Sequence, residues 1–221
     1  MPIRDAATVI VIRRDGAPSV LMGQRGASAA FMPGKFVFPG GATDPGDAHV
    51  PLADLPAAQA DALSRDSRQP PHAIAAAAIR ELWEETGQML ARPAPWPDAP
   101  IGWHGFAAAG HVPSARGLRY FFRAVTPPGR TRRFDARFLL AEASDLITDP
   151  DDFSHAEDEL SLLQWVPLAD ARTLDLPFIT TVVLAELMAH LADPEAPLTI
   201  PFFRNDDEAH LVARLGGRGP L

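Results

Sequence analysis

Three carboxylates, Glu81, Glu84 and Glu85, fall within five positions of the segment AAAAIRELWEETGQML, residues 75–90. At about 100° per residue, a helix carries them on one arc of its surface. Arg80 precedes Glu84 by four residues and lies within reach of it along the same helix. Carboxylates gathered this way make a hard oxygen site suited to Mg²⁺ or Mn²⁺. They also fit the solvated face of an amphipathic helix. That second reading has a cost, about 0.2–0.5 kcal/mol for a like-charged i,i+4 pair such as Glu81–Glu85, with a single basic residue close by. On the helix alone both readings stand.

The elements around the helix decide between them. The alanine-rich segment predicts a helix starting near Pro71, since proline is tolerated in a first turn, and stopping at Gly87 or shortly after. Ile79, Leu82, Trp83, Thr86 and Leu90 would form its buried face. Upstream, AATVIVI (6–12) and SVLMGQR (19–25) are joined by RRDGAP, a turn signal, and predict a hairpin. GKFVFPGG (34–41) predicts a third strand that ends in a glycine corner, where the backbone can approach a ligand closely. Residues 42–72 show no sustained period and contain five prolines, predicting a loop or loosely helical insertion, and 91–100 reads as a proline-rich connector. LRYFFRAV (118–125), RRFDARFLLA (132–141) and LSLLQWVPL (160–168) predict strands, and 176–192 a helix packed on the sheet. Strands mixed with a few helices imply a layered α/β domain.

Set beside the glycine corner, the acidic helix resembles the signature of the Nudix hydrolases, G-x5-E-x7-R-E-U-x-E-E-x-G-U, with U aliphatic. Gly41 takes the first glycine and Asp47 the first glutamate. Arg80, Glu81, Leu82, Glu84, Glu85 and Gly87 take the second run in register. Asp47 is a shorter carboxylate than the motif's glutamate, and Gln88 replaces the last aliphatic residue, a change expected to matter little. The spacer is longer: 32 residues (48–79) separate Asp47 from Arg80 where the motif has 7. A long loop between fixed ends costs little closure entropy, so the box can still close in space. This split box, with FMPGKFVFPGG before it and TPPGRTRRFDARFLL (126–140) after it, is similar to the branch containing the peroxisomal coenzyme A diphosphatases and their bacterial relatives.

The resemblance implies a Nudix fold, an α/β/α sandwich with a mixed β-sheet, over a single domain (1–221) with an insertion at about 48–72. It implies hydrolysis of a nucleoside diphosphate linked to another moiety, with Mg²⁺ or Mn²⁺ as cofactor. Glu81 and Glu85 would be principal metal ligands, Glu84 a ligand or the general base, and Arg80 the group that orients them. A further carboxylate comes from DPDDFSHAEDE (149–159), where Glu159 is the candidate metal ligand and Glu157 the alternative. The substrate would meet Arg25, Gly34, Gly40 and Gly41. Against the coenzyme A diphosphatase motif L-L-T-x-R-[SA]-x3-R-x3-G-x3-F-P-G-G, residues Leu21, Arg25, Gly34 and Phe38–Gly41 match. Gly23, Gly26 and Ala30 depart from it, and Ala30 stands where an arginine would meet a phosphate. Losing such a charge-assisted contact could remove roughly 1.5–3 kcal/mol of affinity; Lys35 or Arg116 are candidates to replace it. Coenzyme A or acyl-coenzyme A is the leading substrate, an ADP-ribose or NADH-type dinucleotide the alternative, and a non-catalytic ligand sensor the reading from another class.

In RRFDARF, Phe134, Ala136 and Phe138 alternate with Arg133, Asp135 and Arg137. The two arginines either meet substrate phosphates or pair locally with the aspartate. Trp103 and Tyr120 suit core packing better than stacking on a base, and the seven histidines show no zinc spacing. The chain has no cysteine, 47% hydrophobic residues and a net charge of −8. It can bury a proper core, has no disulfide or thiol chemistry, and is poorly suited to nucleic acid. No apolar run approaches a membrane span and no signal peptide is evident. A cytoplasmic enzyme on a small-molecule nucleotide diphosphate, with a homodimer compatible, is the resulting expectation.

Overall fold

The computed structural model describes residues 2–196, 199–204 and 212–214. The Asp-Gly turn joins β1 (Ile3–Arg13) to β2 (Ser19–Arg25). The glycine-corner segment divides into β3 (Phe36–Val37) and β4 (Gly40–Ala42) rather than forming one strand. Pro39, lacking an N–H, sits at the break, and its carbonyl accepts from Val9 N at 2.9 Å. The chain continues through α1 (Ala57–Ser64), α2 (Pro71–Thr86), β5 (Ala91–Pro93), α3 (His104–Ala108) and β6 (His111–Pro113). There follow β7 (Arg119–Val125), β8 (Arg133–Glu142), β9 (Leu160–Pro167), α4 (Phe178–Ala192), β10 (Pro201–Phe203) and β11 (Val212–Arg214).

The main sheet runs β11-β10-β7-β8-β1-β2-β3 and is mixed. β1 pairs in parallel with β8 from Ile3↔Arg133 to Ile12↔Glu142. Its other edge is divided. Ala6, Ala7 and Thr8 pair with β4, while β2 takes only Ile12 and Arg13 before turning to β9. The glycine corner is therefore hydrogen-bonded to the central strand of the sheet. Alternation along β1 sends Ala7, Val9 and Val11 into one core and Ile10 and Ile12 into the other. α2 covers the first face. Val183, Leu184 and Leu187 of α4 cover the second. This is the expected α/β/α sandwich. Among the described residues no helix is long and apolar enough to cross a membrane.

The alanines of α2 pack rather than fill. Every residue from Ala73 to Leu82 is buried, including Arg80 and Glu81. Small side chains let the helix lie close between the sheet and the inserted segment. That segment is structured: Pro45–His49 forms a 3₁₀ turn, α1 packs beside α2, and Leu63 is buried in the same core. At an irregularity in the β7–β8 register between Tyr120 and Phe122, Gln59 Oε1 accepts from Tyr120 N at 2.7 Å. The connector at 91–100 likewise begins with a strand, β5, paired with β6. Trp103 and Tyr120 are core residues, 2% and 1% exposed.

Candidate active site

The two halves of the split box meet. Arg80 Nε and Nη2 donate to the two carboxylate oxygens of Asp47 at 2.9 and 3.2 Å, and Nη2 also reaches Ala42 O at 3.0 Å. Asp47 is 1% exposed and accepts from Asp44 N as well, closing the 3₁₀ turn. Arg80 Nη1 donates to Glu81 Oε1 at 2.9 Å and Glu84 Oε2 at 2.8 Å. One guanidinium thus fixes three carboxylates, a use of its planar fork that lysine could not reproduce. Burial works against the charge on Arg80, but its hydrogen bonds to Asp47 and the charges of Glu81, Asp47 and Glu84 outweigh that and raise its pKa.

Glu85 turns toward the glycine corner. Its Oε2 accepts from Gly40 N at 2.7 Å, while Oε1 is buried with no hydrogen-bond partner. Glu81 faces Gly41: a Cβ there would fall 2.5 Å from its carboxylate carbon and both oxygens, so only glycine fits. A Cβ on Gly40 would meet Ala7 O at 2.5 Å. The helix ends at Gly87, in the left-handed region at φ 73°, where its N–H reaches Trp83 O at 2.8 Å. Burial pushes the Glu81 carboxyl up to about 7 despite its pairing with Arg80, with Glu84 adding to the shift. Burial, and then the charge of Glu81, hold Glu85 well above the usual carboxylate range, opposed by the Gly40 N–H. Glu84 is raised by burial and restrained by Arg80.

A buried carboxylate with an unpaired oxygen demands a proton or a cation, because its desolvation is otherwise uncompensated. The donor set suits a hard divalent ion: carboxylates only, beside a corner with no side chain in the way. The residues therefore fit Mg²⁺ or Mn²⁺. Among the described residues no three acidic or histidine side chains converge closely enough to hold an ion as they stand. Arg80 draws Glu84 and Glu81 together on one side, and Arg25 Nη2 holds Glu159 at 2.9 Å on the other.

The acidic loop is placed by a residue whose substitution was expected to matter little. Gln88 is 0% exposed. Its Nε2 donates to Asp152 O at 2.8 Å and Asp149 O at 3.1 Å, and its Oε1 accepts from Thr148 Oγ1 at 2.6 Å. An aliphatic residue could make none of these bonds. Further along, Glu157 N donates to Glu84 O at 2.7 Å, and His155 stacks on Trp83. Sequence reading missed Gln88; the signal available was a lone amide between Gly87 and two apolar residues.

The other expected contacts divide. Arg25 and Gly34 adjoin, since Gly34 N donates to Arg25 O at 3.0 Å. Arg137 does not project into an open cleft. It is 1% exposed, paired with Asp5 and Asp135 and bonded to Ser67 Oγ, because β8 directs it into the layer beneath the inserted segment. Local pairing is the reading the geometry supports there. Arg133 Nε donates to Thr126 O at 2.9 Å. Lys35 pairs with Asp175, and Arg116 lines a cavity of about 310 Å³ with Asp54, Arg92 and Asp145. A second cavity, about 200 Å³, is lined by Asp5, Arg68, Arg123 and Asp135 among others. Neither cavity contains a box glutamate, so the site's chemistry rests on the carboxylates and not on cavity shape.

The geometry agrees with what the chain is similar to. A Nudix hydrolase from Alicyclobacillus acidocaldarius is 30% identical, with a TM-score of 0.63 over 86% of this chain and 92% of that one. The NUDIX domain of Shewanella oneidensis NrtR, complexed with ADP ribose, is 14% identical, with a TM-score of 0.50 over 86% of this chain and 90% of that one. That second likeness concerns the fold alone. No protein-family model and no curated protein matches the chain. At that identity and coverage the first relative settles the family: this chain belongs to the Nudix hydrolases, and it is an enzyme.

Proposed function

We propose that the enzyme cleaves the diphosphate bridge of a nucleoside diphosphate linked to another moiety, using Mg²⁺ or Mn²⁺ held by Glu81, Glu84 and Glu85. The observation that carries this reading is Glu85, buried with one carboxylate oxygen unpartnered beside Gly40 and Gly41. Bound divalent ions would neutralise the diphosphate oxygens and acidify the attacking water. Arg80 fixes Glu81 and Glu84 on one side of the corner, and their carboxylates would draw in toward Glu85 around the bound ion. Glu84, the most accessible of the three, is the group we assign to accept a proton. Glu159 or Glu157 would add a carboxylate from the acidic loop. Arg25, Gly34 and Arg133 would border the substrate; Arg137 would act only through its ion pairs.

We read residues 1–221 as one domain, acting in the cytoplasm on a small molecule and not on nucleic acid or membrane. Coenzyme A or acyl-coenzyme A is the substrate suggested by Leu21, Arg25, Gly34 and Phe38–Gly41. A second reading, ADP-ribose or an NADH-type dinucleotide, is favoured by Ala30: Lys35 is engaged by Asp175 and Arg116 lies in a cavity away from the box, so neither supplies the missing cation. Incubating the protein and Mg²⁺ with coenzyme A, acyl-coenzyme A, ADP-ribose and NADH, with products weighed by mass spectrometry, separates the two. Release of 3′,5′-ADP supports the first and AMP the second. Inertness toward all four would overturn the diphosphatase reading.

A further inference from the structure

We infer that Gln88 is a positioning residue, whose amide clasps the acidic loop onto the end of the box helix and so keeps Glu157 beside Glu84. The inference rests on the proposed metal-dependent reading only in taking the loop's acid to work together with the box carboxylates.

Residues 148–157 cross the C-terminal end of α2 with little regular structure of their own. Their polar attachments to it form a seam. Ile147 N donates to Met89 O at 3.0 Å, and Met89 N to Thr148 Oγ1 at 3.2 Å. The three bonds of Gln88 take Thr148, Asp149 and Asp152. Glu157 N then lands on Glu84 O at 2.7 Å. The last bond ties the backbone of a loop acid to the backbone of a box acid. Phe153 packs against the core and His155 on Trp83, but apolar and stacking contacts slide; the amide bonds set the register.

Glu159 is held differently. Leu160, its neighbour, pairs with Arg25 in the β2–β9 ladder, and Arg25 grips the Glu159 carboxylate itself. Glu157 has no such strand support, so its place depends on the seam. Gln88 is the only side chain of that seam that is fully buried and reaches three loop residues at once. Trp165 Nε1 on Pro150 O and Arg13 on Asp151 hold the middle of the loop to the sheet, but only the amide joins Thr148, Asp149 and Asp152 together to the end of the helix, so its loss should loosen the register there.

The test compares Gln88→Leu, Glu157→Gln, Glu159→Gln and the two doubles containing Gln88→Leu, all in the full chain. Amide exchange followed by mass spectrometry should show residues 148–157 exchanging at least about tenfold faster in Gln88→Leu, with the centre of α2 unchanged. Isothermal titration with Mn²⁺ should show affinity falling about tenfold in Gln88→Leu and in Glu157→Gln. Combining those two should cost nothing further, whereas Gln88→Leu and Glu159→Gln should multiply. Unchanged loop exchange overturns the clasp, and multiplication of the Gln88 and Glu157 effects overturns its connection to Glu157. If wild type binds no Mn²⁺, the metal-dependent reading fails, and the exchange result alone decides the clasp. Should Gln88→Leu fail to fold, Thr148→Val, which removes the hydroxyl that Gln88 holds, carries the same comparison.

Discussion

Two stretches of this chain are rich in acids, and they behave in opposite ways. Residues 149–159 hold six acidic side chains, Asp149, Asp151, Asp152, Glu157, Asp158 and Glu159. They lie on an exposed loop, where Asp152 is held below its usual range by hydrogen bonds from Ser154. The box helix has only three, but burial raises all of them. The loop acids are exposed, and Asp151, Asp152 and Glu159 have partners in Arg13, Ser154 and Arg25. On the helix, Arg80 satisfies two carboxylates and leaves an oxygen of the third with nothing. Uncompensated burial, and not the number of charges, sets the two stretches apart.

The sharpest break of that contrast is Glu85→Gln. It removes the buried charge while keeping the shape, and turnover of whichever diphosphate is cleaved should fall roughly 10²–10³-fold. An unchanged rate would mean that Glu85 serves only to hold the corner. Arg80→Ala should come next, costing about 3–5 kcal/mol in urea unfolding because Asp47 is left buried without its partner. A loss below about 1 kcal/mol would class the network with ordinary surface pairs.

The pH response should separate the two stretches at intermediate size. Glu81 holds its proton up to about pH 7 in the folded chain and releases it near its ordinary value of 4.5 when unfolded. Stability without added metal should therefore fall as pH rises through that window, since the unfolded state binds fewer protons there. Mg²⁺ favours the ionised carboxylates, so it should raise the melting temperature more at about pH 8 than at about pH 5. A metal effect independent of pH would place the ion away from Glu81. The smallest effect belongs to the loop. Asp151→Asn breaks an ion pair with Arg13 in which Asp151 is mostly exposed, and stability should change by no more than about 0.5 kcal/mol.

What could be read from the residues alone was whatever local chemistry specifies. The limits of α2 follow from Pro71 in the first turn and Gly87 at the end, and the structure returns them. The run Arg80–Glu85 and the glycine corner were likewise legible, because each is a compact pattern. Strands of two or three residues, β3, β4 and β5, are too short to show a period. α1 lacks an amphipathic stripe and was hidden among prolines. The pairing of Arg137 with Asp135 is among the readings of the sequence, whereas the role of Gln88 and the second partner of Arg137 were illegible for another reason. These partners lie far off in the chain, Asp149 and Asp152 for Gln88 and Asp5 for Arg137, so only the folded sheet brings them together.

The segment between Asp47 and Arg80 is, mechanically, a tether whose two ends are buckled by its own anchor residues. Stretching such a tether from 7 residues to 32 is just over two doublings, worth roughly 1.3 kcal/mol of closure entropy. The Asp47–Arg80 buckle is buried and doubly hydrogen-bonded, which outweighs that amount. Closure entropy therefore sets no tight limit on its length; what limits it is where it is sewn down, Gln59 on Tyr120, Arg65 and Asp66 on Arg123, and Ser67 on Arg137. A cut made between Arg68 and Gln69, beyond the last of those stitches, should sever the chain and still leave the Asp47–Arg80 buckle closed beside the glycine corner.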